Sequence, residues 1–324
     1  MVDGKKQWKA WLYLSPVIIL TLVFTVYPIV NTIRMAFSND YRLADEIGYM
    51  TETGKVFGLY KFGIDNFVQV LKYGKFAQYL GNTMFLTVVT VPISTMLALL
   101  IAVCLNSIKP LNRLLQTIYF LPYVTNTIAI GLVFSTMFSM VGVSIGKPGQ
   151  IITTAGIINN IIEAFGGKAV NWVNEGSSWG ANMFVMVVYI VWNALPFKIL
   201  ILLGGLQSVN KQYYDAAKVD GTSRARTFWR ITVPMLSPMI AYVVITGFIG
   251  GFKEYSSIVG VFGDNMGPAG KPDQLNTMVG FINKNIMDSN RHEGKASAAA
   301  LILFVIIFAV TMLNMYVSKK KVHY

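Results

Sequence analysis

Charge is what this sequence has least of. Of its 324 residues only 13% are Asp, Glu, Lys or Arg, about half the ~25% of an ordinary soluble domain, which excludes a water-soluble surface of normal composition. There is one cysteine, Cys104, inside an apolar stretch, so neither a disulfide framework nor a thiolate metal cluster can be assembled. Histidine is nearly absent too, and His292 and His323 both fall in polar segments where surface placement is expected. No G-x4-G-K-[ST] loop occurs, so the chain has no phosphate cradle of its own, and no H-E-x-x-H pair offers a metalloprotease site. No catalytic residue and no metal site are expected. The formal net charge of +12 invites a nucleic-acid reading, but no helix-turn-helix pattern, zinc spacing or aromatic–glycine RNA motif accompanies it.

What the sequence does have is long uncharged runs. Hydrophobic residues make up 54% of the chain, and they gather at 10–33, 83–108, 114–146 and 296–317, with two further runs, 181–197 and 231–252, each ended by a lysine. A bilayer core needs ~20 apolar residues in helical form, so all six qualify or nearly do. The expected architecture is an all-α integral membrane protein, one domain over 1–324, with about six transmembrane helices near 11–33, 83–105, 114–139, 181–204, 235–261 and 296–317. The first run is 24 residues long and contains Pro28. It exceeds the ~7–15 residues of a signal-peptide core and is read as an uncleaved first helix.

Lysine and arginine orient these spans. The segments 1–10, 106–113, 205–234 and 318–324 carry 13 of them in 55 residues, whereas 34–82, 140–180 and 262–295 carry 12 in 124. Basic residues concentrate on the cytoplasmic side, which places both termini in the cytoplasm of a bacterial-type plasma membrane. The longest cytoplasmic loop is then 205–234. Within it Asn210 is a helix N-cap candidate, residues 213–219 suit a short helix, and Gly221 stands where a left-handed residue would end it. A second helix over 223–231 would follow, closed by Pro234.

This loop, Asp215-Ala216-Ala217, then Gly221, then nine residues to Ile231-x-Val233-Pro234, resembles the E-A-A-x3-G-x9-I-x-L-P loop of permease subunits of binding-protein-dependent ABC importers. Every spacing agrees, with Asp for Glu and Val for Leu. Other stretches are similar to the sugar permeases of that superfamily. They are Gly63-Ile-Asp65-Asn66-Phe67, Asn82-Thr83, Phe120-Leu-Pro122, Trp192-x3-Pro196-Phe197, Gly267-Pro268 before Thr277, and Gly294-Lys-Ala296-Ser297-Ala298. The resemblance, strongest to the maltose- and glycerol-3-phosphate-type first permease, implies a type I ABC importer permease fold. It implies that Asp215, Ala216, Ala217, Gly221, Ile231 and Pro234 form a coupling helix against a cytoplasmic ATPase subunit. It implies as partners a second homologous permease, two ATPase subunits holding ATP and Mg, and an extracytoplasmic solute-binding protein. This chain itself would bind membrane lipid but no cofactor.

Polar side chains within spans face the bundle interior or a water-filled path. Asn126, Tyr189, Trp192, Asn193, Glu254 and Tyr255 combine hydrogen-bonding groups with aromatic faces and are the candidates for a carbohydrate path. Lys198 is expected to snorkel to the cytoplasmic interface, and Gly247-x3-Gly251 to allow close helix approach. The expected function is translocation of a carbohydrate, an oligosaccharide above others. The alternatives are glycerol-3-phosphate or another polar metabolite, or a secondary transporter, which would need inverted repeats that the sequence does not display.

Overall fold

The computed structural model describes residues 7–39, 41–43, 49–51, 54–56, 61–107, 112–140, 156–287 and 292–321. The expectation for His323 lies outside the described residues.

Long apolar runs can satisfy their backbone in a bilayer only as helix, and helix dominates. In chain order the elements are α1 (Gln7–Thr21), α2 (Tyr27–Ala36), α3 (Asp65–Leu71), α4 (Phe76–Ser107), α5 (Asn112–Val124), α6 (Thr127–Phe138), α7 (Ile157–Ala164), α8 (Trp179–Ser208), α9 (Lys211–Val219), α10 (Arg224–Thr227), α11 (Ser237–Gly251), α12 (Ser256–Phe262), α13 (Met278–Met287) and α14 (Glu293–Lys321). One antiparallel ribbon, β1 (Tyr49–Thr51) with β2 (Gly54–Val56), pairs Tyr49 opposite Val56. By length and composition, four helices of the described residues can cross a membrane: Trp11–Ala36, Phe76–Ser107, Trp179–Ser208 and Glu293–Lys319. A fifth is added if Arg224–Met235 and Ser237–Gly251, bent by 69°, count as one span.

Two of the expected spans are broken. The run 114–139 divides at Thr125–Asn126 into α5 and α6. Asn126 is extended (φ −61°, ψ 123°) and its side-chain oxygen accepts from the amides of Ile128 and Ala129, capping α6. The run 235–261 divides after Gly251. The Glu254 carboxylate then accepts from the amides of Tyr255 and Ser257, both at 3.2 Å, and opens α12. In each case a polar side chain supplies the acceptor that the first amides of a helix otherwise lack. The helix that starts at Arg224 ends at Met235, one residue past Pro234, which was expected to close it. Phe228–Thr232 forms a wide turn that runs into Val233–Met235. The change of direction falls at Leu236.

The backbone groups into two compact units. The first comprises residues 1–76 and 281–305, the second 77–280 and 306–324. In the first unit Asn66 donates its amide to the carbonyls of Met35, Ala36 and Ser38, closing the C-terminal end of α2. Gly294 lies against that amide: a Cβ there would come within 2.8 Å of Asn66 Nδ2. Two stretches noted separately in the sequence therefore meet at one contact.

In the second unit the positioning force is not burial alone, since a bilayer is as apolar as leucine. Close backbone approach and hydrogen bonds decide instead. α6 and α12 cross where Gly131 faces Gly260, an added Cβ on Gly131 lying 2.5 Å from the Gly260 backbone. The expected close approach at Gly247 and Gly251 is present. Gly251 abuts the Thr87 side chain and Gly247 abuts Val91 and Lys198, bringing α11 against α4. Phe134, Phe138, Met183, Met186, Tyr189 and Ile258 form one buried apolar cluster. Ala98, Ala102, Leu202, Leu206, Leu236 and Val243 belong to another. Asn82 ties α4 to the segment before α13, donating to the carbonyls of Gln274 and Asn276 and accepting from Trp179 Nε1. Thr83 beside it accepts from the Met278 amide at 3.0 Å.

Candidate functional site

A cavity of about 380 Å3 opens within the second unit, inside the ~300–1,000 Å3 range of small-ligand sites. α4 contributes Thr90, Val91 and Ser94, and α8 contributes Ile190, Asn193, Phe197 and Lys198. Tyr123 and Thr127 flank the break between α5 and α6, and α11 offers Thr246 and three glycines before Glu254. The Tyr123 and Phe197 rings stack at 5.8 Å, 17° from parallel, so the wall has an aromatic face beside hydrogen-bonding groups. Of these glycines Gly250 leaves its backbone open, with nothing among the described residues within 4 Å of where a Cβ would stand.

Of the six residues expected along a carbohydrate path, Asn193 and Glu254 line this cavity and the other four do not. Tyr189 is fully buried and its hydroxyl donates to the Thr127 carbonyl, fixing α8 against the start of α6. Trp192 does not line the cavity, and its ring lies 5.5 Å from Phe134. Asn126 is held as the cap of α6, and Tyr255 packs on the Phe134 cluster. Thr90, Ser94, Tyr123, Thr127 and Thr246 were not singled out beforehand. Small hydroxyls in an apolar run bond back to their own helix, as Ser94 and Thr246 do, and the sequence carries no mark of which face they occupy.

Lys198 departs most from expectation. It does not snorkel: it is buried, and its ammonium donates to Ser94 Oγ at 2.7 Å, Thr95 Oγ1 at 2.9 Å and the Val91 carbonyl at 3.2 Å. Three acceptors on one turn of α4 take up its donors, and the side chain turns inward.

The solvent-side loop follows its sequence closely. Asn210 caps α9 by accepting from the Gln212 amide at 3.0 Å. At the other end Gly221 has φ +64°. The Thr222 amide reaches the Ala217 carbonyl at 2.9 Å and the Gly221 amide that of Lys218 at 3.1 Å, the paired bonds of a Schellman turn. Asp215 and Ala216 face outward, whereas Ala217 is buried against its own chain. Ile231 and Pro234 are half-buried. The outward face includes Tyr213 and Val219, 51% and 88% exposed, which the motif alone does not mark. Asp215 pairs with Lys218 at 3.4 Å, an exposed pair of the kind that adds little stability.

Membrane-length helices, a cavity lined by hydrogen-bonding and aromatic side chains, and a helix–glycine–helix element between two spans fit an integral membrane transport subunit. The chain belongs to the family of binding-protein-dependent transport system inner membrane components, which it matches over residues 67–323. It is 27% identical to the arabinooligosaccharides transport system permease protein AraP of Bacillus subtilis, covering 97% of this chain and 89% of that one. It is 28% identical to the lactose transport system permease protein LacF of Rhizobium radiobacter, covering 94% and 91%. Among solved structures, a bacterial ABC transporter that imports the acidic polysaccharide alginate has a chain superposing with TM-score 0.73 at 19% identity, over 98% of this chain and 96% of that one. The fold is that of a type I ABC importer permease, in a multi-pass membrane protein that acts with a binding protein.

Proposed function

We propose that this chain is one permease subunit of an ATP-driven importer of carbohydrate, an oligosaccharide handed over by an extracytoplasmic binding protein. The cavity carries this reading: Asn193, Tyr123 and Glu254 offer hydrogen-bonding groups to sugar hydroxyls, and the stacked Tyr123–Phe197 pair offers an apolar face to sugar C–H surfaces. The names of the relatives support the same substrate class. The chain pairs with a second homologous permease, and two cytoplasmic ATPase subunits hold the nucleotide and Mg. α9 is the coupling helix, presenting Tyr213, Asp215, Ala216 and Val219 to one of those subunits.

The test is uptake of labelled oligosaccharides by cells or proteoliposomes containing the whole complex. Asn193→Ala is expected to lower uptake about 3- to 10-fold, the loss of one hydrogen bond to a neutral sugar, while the ATPase subunits still co-purify. Trp192→Ala, at a residue outside the cavity lining, is expected to leave the range of accepted sugars unchanged. Equal uptake by wild type and Asn193→Ala for every accepted sugar would remove the cavity from the path.

Orientation is read separately, in a Cys104→Ser background. A cysteine at Val219 is expected to react with an impermeant thiol reagent only from the cytoplasm, and one at the 84% exposed Phe62 only from outside. This follows from the density of basic residues in the loops. Labelling of position 219 from outside in intact cells would overturn both the orientation and the coupling role of α9.

A further inference from the structure

Lys198 is the charged side chain most deeply enclosed among the described residues, at 4% exposure, and the carbohydrate reading gives it no role. Its surroundings are built for an ammonium. Ser94 Oγ donates its own proton to the Thr90 carbonyl at 2.6 Å, and Thr95 Oγ1 donates to Val91 at 2.7 Å. Both hydroxyls therefore turn lone pairs toward the lysine. With the Val91 carbonyl they make three acceptors for three N–H donors, which is the full capacity of an ammonium. On the other side Gly247 leaves room: a Cβ there would stand 3.2 Å from Nζ. All three acceptors belong to α4 and the donor to α8, about 100 residues apart in sequence.

With its donors occupied, the ammonium has none left for a sugar. We propose that Lys198 is a positioning residue, a clamp that holds the α4 wall of the cavity against α8 and so sets the cavity's width. This rests on the reading of the cavity as the transport path. The clamp is a charge compensated only by neutral groups, so its two halves are not equivalent. Removing the acceptors strands a buried cation, whereas removing the cation leaves two hydroxyls still bonded to their own helix. Loss of the lysine must therefore correct loss of the acceptors.

The experiment compares four complexes: wild type, Lys198→Met, Ser94→Ala with Thr95→Val, and all three changes together. Melting midpoint in detergent and initial uptake rates across sugar concentrations are measured for each. Lys198→Met is expected to lower the maximal rate about tenfold, by loss of hydrogen bonds to a charged group, with unchanged KM and sugar range. The acceptor pair is expected to lose more than about tenfold and to melt lower, since a buried charge left unpaired is costlier than its removal. The triple variant is expected to return to the level of Lys198→Met in both readouts. A triple variant worse than either parent would overturn the clamp, because the two sides would then act independently. A raised KM for Lys198→Met, or a loss confined to acidic saccharides, would overturn it as well by making the ammonium a ligand. If wild type carried no carbohydrate at all, the transport reading would fail, and the melting midpoints alone would still judge the clamp.

Discussion

Gly221→Val is expected to leave the protein inserted in the membrane and to reduce uptake by about 10- to 100-fold, the equivalent of ~1.5–3 kcal/mol of backbone strain. Gly221 holds φ +64° at the end of α9, a region that a β-branched residue enters only as an outlier. Among the described residues nothing lies within 4 Å of where its Cβ would stand, so no clash of that Cβ with them accounts for the loss. It must come from opening the turn that fixes the direction of α9, or from the ATPase subunit. The two sources separate by substitution. Gly221→Asn, which tolerates the left-handed region, is expected to keep most uptake and to retain the ATPase subunits. Gly221→Asp adds a charge at the proposed docking face and is expected to weaken ATPase co-purification. Asp215→Lys, with Lys211 and Lys218 one turn to either side, is expected to weaken it further, and Asp215→Glu to be tolerated. Normal uptake by both Gly221→Val and Asp215→Lys would show that this loop transmits nothing.

Gly131→Ala is expected to have the largest effect on assembly of the fold. Its methyl group would lie 2.5 Å from the Gly260 main chain, and a main chain held in a helix cannot turn aside as a flexible side chain can. Overpacking of this kind costs about 1–3 kcal/mol and more where backbone is displaced. The expected result is a sharp fall in monodisperse protein after detergent extraction. Gly260→Ala is expected to be milder, with its nearest neighbours at 3.0 and 3.1 Å. Gly204→Ala in α8, with nothing within 4 Å, serves as control and is expected to match wild type or gain up to ~1 kcal/mol from helix propensity. Size-exclusion profiles and melting midpoints of the three variants decide the matter. Indistinguishable profiles for Gly131→Ala and Gly204→Ala would mean that α6 and α12 do not cross as closely as described.

The solvent-side loop was legible in the sequence because its structure is local. Asn210 caps the helix two residues on, and Gly221 turns the chain where it stands, so residue type and spacing carry nearly all the information. The apolar runs told where helix would form but not where it would break. Hydropathy averages over a window, and the acceptor that starts α6 or α12 is a single Asn or Glu inside it. Those residues looked like ligands for the same reason that they are caps: each is a hydrogen-bonding group where lipid offers none. Glu254 alone combines a cap with a place on the cavity wall. Lys198 was misplaced because its partners, Ser94 and Thr95, are remote in sequence and sit among other small hydroxyls, Thr83, Thr87 and Thr90, with nothing to mark which of them it would meet.

The break at Thr125–Asn126 has a consequence for what surrounds this protein. α6 is 12 residues long, about 18 Å of helix at 1.5 Å per residue, well short of a ~30 Å hydrocarbon layer. The chain therefore leaves helical geometry inside the run 114–139 expected to lie in the hydrocarbon layer, with Val124 72% exposed and Thr125 and Asn126 also outward. Acyl chains cannot solvate peptide groups, and irregular backbone at that depth persists only against other protein or liquid water. Tyr123 and Thr127, on either side of the break, already front the cavity. On the transport reading proposed above, this flank repels the bilayer, and its peptide groups are hydrated from the path or sheathed by the second permease. A wet wall of that kind is the medium a dissolved, hydroxyl-bearing solute requires.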